Sequence, residues 1–108
     1  MKDITITLSP HEIDKCLQEV STRLQRILYV YEQSLDNENY NYKSYVYSVI
    51  LYISSLNSLC AYDLSSIIIN LNTLYTNKDL NKKIVKKIVM ESKHMVVDIK
   101  KKWSDNIG

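Results

Sequence analysis

Glycine and proline are all but missing from this chain. The only proline is Pro10 and the only glycine is Gly108, so residues 11 to 107 contain neither. Glycine supplies the positive-φ backbone of tight hairpins and phosphate-cradling loops, and proline punctuates turns. Their joint absence leaves little but helices joined by Asn, Asp and Ser corners. It also excludes the P-loop, the dinucleotide fingerprint, the nucleophile elbow and the EF-hand, each of which needs glycine at defined places. Cysteine is sparse: Cys16 and Cys60 stand far apart with no C-x-x-C spacing. Each falls among apolar neighbours at helical spacing, which fits buried free thiols in a reducing compartment. A convincing membrane span is missing too. Residues 44–62 carry no charge, but five serines and Asn57 interrupt them, which suits a buried helix better than a lipid-facing one. The opening MKDITITLSP has no apolar core of the kind a signal peptide needs. The expectation is a cytoplasmic chain that makes no use of the membrane.

The composition that remains is that of an ordinary globular protein. With 108 residues, 45% of them hydrophobic and 24% charged, the chain fits one helical domain that can fold without disulfide or metal staples. The net charge of +2 is small but unevenly placed. Residues 1–63 hold eight acids and five bases, whereas residues 64–108 hold four acids and nine lysines. One acidic and one basic face are expected.

Asp3 to Leu8 alternate polar and apolar residues over a β-favouring set. Residues 1–8 therefore read as a short extended arm, laid on the bundle or paired with another chain through residues 3–8, a second copy included. Ser9, Pro10 and Glu12 write a capping box with proline in the first turn, and Leu8 with Ile13 can staple it. Ile13, Leu17, Val20, Leu24, Ile27, Tyr31 and Leu35 then draw one apolar stripe at spacings of three and four. A second helix is expected from about Asn41 to Cys60, apolar nearly all round and hence central. Asp63 would cap a third, carrying Leu64, Ile67, Ile68, Leu71 and Leu74. The fourth would align Leu80, Ile84, Ile88, Met95, Ile99 and Trp103, with a break near Ser92 where the polar run Glu91 to His94 weakens the stripe. The fold class is all-α: an antiparallel bundle of four helices over residues 9–108, or five if the last one divides.

Two surfaces stand out. Nine tyrosines occur against no phenylalanine, and Tyr40, Tyr42, Tyr45, Tyr47 and Tyr52 crowd one segment. A phenol combines apolar area with a hydroxyl at little entropic cost, which suits a core rim or a protein interface. Tyr40, Tyr42 and Tyr47, with Asp36 and Glu38 as acidic hooks, make the candidate partner-binding patch. The alternative is a basic strip of Lys82, Lys83, Lys86 and Lys87 for nucleic acid or an acidic protein. The only arginines, Arg23 and Arg26, lie on another helix, so bidentate phosphate contacts are not written into the strip. Catalysis has little footing. His11 and His94 are far apart, Glu91 and His94 give E-x-x-H spacing once where di-iron bundles need it twice, and no metal-ligand cluster or cofactor motif is present.

Leu71, Leu74, Thr76, the Lys82 to Lys87 run and Lys100-Lys101-Lys102-Trp103 faintly resemble the end of the helical domain at the N-terminus of transcription elongation factors of the TFIIS type. The isoleucine-glycine pair that follows the threonine there is replaced by Asn77-Lys78, and no functional residue is carried over. In size and helical make-up the chain is similar to stand-alone immunity proteins that neutralise toxins, a likeness of class without a shared motif. The function expected is non-catalytic protein binding, most concretely as an immunity or antitoxin-like inhibitor that occludes a toxin domain. A nucleic-acid or transcription-associated module using the lysine strip is the alternative.

Overall fold

Ser9 opens the first helix as its spacing predicts. Its hydroxyl accepts from the Glu12 amide at 3.2 Å while its own amide donates to Glu12 Oε1 at 3.0 Å, the reciprocal capping box that satisfies two otherwise orphaned donors. That hydrogen bond also holds the Glu12 carboxyl below its ordinary pKa. A computed structural model describes residues 9–37, 39–57 and 64–107, with Pro10, Asn57 and residues 103–107 by backbone alone. The arm 1–8, Glu38, Cys60 and Asp63 lie outside the described residues.

Four helices follow: α1 (Pro10–Asp36), α2 (Tyr42–Asn57), α3 (Ser65–Thr76) and α4 (Lys82–Ile107). Each packs on two neighbours, α1 on α2 and α4, and α3 on α2 and α4. The result is a square antiparallel bundle 48 × 31 × 19 Å in extent, about two helix diameters thick. Ile13, Leu17, Val20, Leu24 and Ile27 of α1, Val46, Val49 and Ile53 of α2, and Ile67, Leu71 and Leu74 of α3 bury into one shared core.

Three expectations change. Leu35 leaves the α1 stripe and is 63% exposed, because it lies beyond Tyr31, the last α1 residue in the buried cluster. Helix α2 is not central: it touches α1 and α3 only, and Tyr47 and Leu51 stay on its outside. The α4 helix runs unbroken through Ser92, and its buried line is Val85, Val89, Ser92 and Val96. The larger Leu80, Ile88, Met95 and Ile99 flank that line, partly buried. Small side chains form the deepest line of α4, and bulky ones fill its shoulders. Ser92 is fully buried, and its hydroxyl accepts from Asn70 Nδ2 of α3 at 3.3 Å. The polar residue that weakens the stripe on paper is therefore seated against a polar neighbour.

Asparagine turns the chain. Asn37 Oδ1 accepts from the Asn39 amide at 3.0 Å, and Asn77 Oδ1 accepts from the Asp79 amide at 2.9 Å. Four residues on, Asn41 and Asn81 each cap the next helix, accepting from Ser44 and Ile84 amides at 2.9 Å. The two corners share one device, an Asx turn followed by an Asn N-cap, and neither needs glycine.

Candidate functional site

The antiparallel order brings the α1–α2 corner beside the α3–α4 corner, and the tyrosine cluster sits there. Tyr42 is only 7% exposed. Its ring stands edge-on to Tyr31, centroids 5.1 Å apart and planes at 73°, while the Tyr31 hydroxyl donates to the Leu80 carbonyl at 3.3 Å. Tyr42 thus belongs to the core and leaves the contact patch. Its buried hydroxyl has no hydrogen-bond partner among the described residues, and burial pushes its pKa well above that of an ordinary phenol.

Tyr40 and Tyr47 remain exposed, as does Asp36. Tyr47 is joined by a residue that tyrosine crowding alone did not reveal, Tyr75 of α3, whose ring lies 5.6 Å away at a 37° tilt. The other tyrosines of α2 face α1. Tyr45 donates to the Arg23 carbonyl at 3.5 Å, and burial raises its phenol pKa while the Arg26 and Arg23 charges pull it back. Arg23 stacks 4.2 Å over Tyr52 and pairs with Glu19 at 2.9 Å.

Lys43 is the residue sequence reasoning passed over. Its ammonium donates to the carbonyls of Leu74, Tyr75 and Asn77 at 2.8, 2.7 and 2.8 Å. It caps the C-terminus of α3 from a different helix, using all three of its N–H groups where the helix dipole is negative. Burial draws its pKa below the ordinary lysine value. A signal existed: from Ser44 to Asn77 the only charged residue is Asp63, so Lys43 is the sole charge on α2, and α3 has none.

That scarcity gives the bundle two unlike halves. The outer side of α2 and α3 carries no charge, with Tyr47, Leu51, Ile69 and Tyr75 exposed among serines and threonines. The ionic groups gather on α1 and α4, where Glu32–Lys82 and Asp14–Lys100 pair at 2.9 Å and Lys93 donates to Gln25 at 2.7 Å. Lys82, Lys83, Lys86 and Lys87 are all exposed, but Lys82 is turned toward α1 by its pairing. Lys83, Lys86 and Lys87 alone of the strip point into solvent without an ion pair among the described residues.

The open grooves are shallow. One of about 600 Å³ lies between the corners, over Tyr31, Tyr42, Lys78 and Leu80. Another of about 820 Å³ runs along α1 and α4 beside Gln18, Gln25, Arg26, Tyr29 and Lys93. Glu91 and His94 face outward beside Met90 and Asp98. Among the described residues no three His, Cys, Asp or Glu side chains converge to hold a metal ion. Cys16 is a half-buried free thiol. No helix among them is long and apolar enough to cross a membrane. No known protein family, curated protein or solved structure matches the chain.

Proposed function

We propose that this protein is a non-catalytic protein-binding module, most concretely an inhibitor of the immunity or antitoxin kind that works by covering a toxin domain. The observation that supports the reading is the corner end of the bundle. Asp36 and Tyr40 are exposed there, and Tyr47 and Tyr75, exposed as well, pair with rings 5.6 Å apart. Exposed tyrosines carried on rigid helices lose little entropy on docking and are the common anchors of protein interfaces. An acidic residue beside them complements a basic target surface and speeds encounter with it. Glu38, the second acidic hook, lies outside the described residues.

The lysine strip is the poorer candidate, because Lys82 is spent on Glu32 of α1, and both arginines lie on α1, so Lys83, Lys86 and Lys87 have no bidentate phosphate contact beside them. The test is co-expression with the product of the adjoining gene, followed by titration calorimetry. Asp36→Lys combined with Tyr40→Ala should weaken binding at least tenfold, on the scale of one lost anchor and one reversed charge. Unchanged affinity, or retention on heparin that is lost with Lys83, Lys86 and Lys87 charge reversal, would refute the reading.

A further inference from the structure

The charge-free side of α2 and α3 meets the corner at the Tyr47–Tyr75 pair, runs on along both helices beyond it and makes its own demand. Leu51 lies near the middle of α2 and is 53% exposed, and Ile69 lies near the middle of α3 and is 64% exposed. Tyr47 and Tyr75 border them at one end, and Ser44, Ser54, Asn72 and Thr76, all exposed, complete the surface on that side. Interfaces are marked by an apolar centre with aromatic residues, depletion of charge at that centre and a polar rim. Monomer surfaces are not ordinarily swept of charge over two adjacent helices, in a chain with 14 basic and 12 acidic residues.

We infer that this face is a homodimer interface, on which a second copy of the chain packs its own α2 and α3 about a two-fold axis. Charge matching selects the occupant. In a two-fold contact the same patch meets itself, so any net charge on it repels its copy. This face has none: its single nearby ammonium, on Lys43, is folded over the carbonyls of Leu74, Tyr75 and Asn77. A partner docking through charged groups would bury them here with no counter-charge to meet.

The area fits a dimer that forms only at high concentration. The 16 residues of α2 and 12 of α3 span roughly 24 and 18 Å, and two packed helices are roughly 20 Å wide, giving about 400–500 Å² of flat face per copy. The pair together would bury about 800–1,000 Å², at the small end of the range and in keeping with a weak dimer. Leu51 and Ile69 form its dry centre, and the serines and threonines its hydrogen-bonding rim.

Sedimentation and light scattering of the intact chain at high micromolar concentration test this. The expected mass is twice 12.7 kDa. The double variant Leu51→Glu, Ile69→Glu should return the monomer mass with helical circular dichroism unchanged. Should that variant lose helicity, Ser54→Arg and Asn72→Arg place charge at two exposed polar positions of this face without touching the core, and are expected to abolish the dimer equally. A monomeric wild-type chain overturns the inference, and so does a dimer that survives both sets of substitutions. Because these substitutions leave Asp36, Tyr40, Tyr47 and Tyr75 in place, target binding that persists in a monomeric variant separates the two readings.

Discussion

Lys43→Met offers the sharpest test of how the bundle is held together. The substitution keeps the length and apolar stem of the side chain and removes only the ammonium, which donates to Leu74, Tyr75 and Asn77 at 2.7–2.8 Å. A hydrogen bond from a charged group contributes about 1.5–3 kcal/mol, and a cation at a helix C-terminus adds about 0.3–1 kcal/mol. The three bonds do not sum, because Tyr75 is exposed and water can reach carbonyls on that side once the ammonium is gone. The net loss should be about 2 kcal/mol. For a chain of this size that is a fall in Tm of about 8–10 °C and in the urea midpoint of about 1 M. Lys43→Arg keeps the charge, but a planar guanidinium cannot aim three N–H groups at one cluster of carbonyls, so it should recover about half of the loss. Urea unfolding followed by circular dichroism reads all three proteins. A Met variant within about 0.5 kcal/mol of wild type would refute the capping role, and an Arg variant equal to Met would show that charge contributes nothing.

Tyr42→Phe should stabilise the protein by about 1 kcal/mol at neutral pH, since it removes a buried hydroxyl without a partner and keeps the ring against Tyr31. Burial raises the Tyr42 pKa, so the unfolded chain deprotonates near the ordinary value of about 10 while the folded chain holds its proton. Wild-type stability is therefore complete below about pH 10 and falls above it, by up to about 1.4 kcal/mol per pH unit for this group. Urea midpoints at mildly and strongly alkaline pH should show the advantage of Tyr42→Phe growing as pH rises, and a constant gap would contradict the burial. Ser92→Leu should cost about 2–3 kcal/mol by forcing a branched side chain into the α4 seam, whereas Ser92→Ala should cost under about 1.5 kcal/mol. Thermal melts separate the two, and equal Tm values would mean that the seam is looser than its burial implies.

Much of the bundle could be read before any coordinates. The Ser9 capping box, the α1 stripe from Ile13 to Tyr31 and the α3 line of Ile67, Leu71 and Leu74 follow from spacing alone, because each has only one face rich enough to bury. The reading slipped where more than one face qualified. On α4 the bulky Ile84, Ile88 and Met95 outweigh Val85, Val89 and Ser92 in any hydropathy sum, yet the smaller set sits deepest, since helix approach selects for size as well as polarity. On α2, apolar residues all round suggested a central helix. The same absence of charge belongs instead to a helix with one side left open. For the candidate site, exposure was the missing quantity. Tyr40, Tyr42 and Tyr47 look alike in a string of letters, and only the pairing of Tyr42 with Tyr31 across the corner sets it apart. Tyr75 and Lys43 came from contacts between residues about thirty positions apart in sequence, which no local pattern records.

The asparagine corners bear on how the molecule ages. Asn41 and Asn81 use only their side-chain oxygen, which accepts from the Ser44 and Ile84 amides. An aspartate at either position would keep that oxygen and add a negative charge at the positive end of α2 or α4, a gain of about 0.3–1 kcal/mol. No glycine follows either residue. The bulky Tyr42 and Lys82 that follow instead hinder the cyclisation by which asparagine turns ordinarily decay, so both caps should outlast those of glycine-bearing corners.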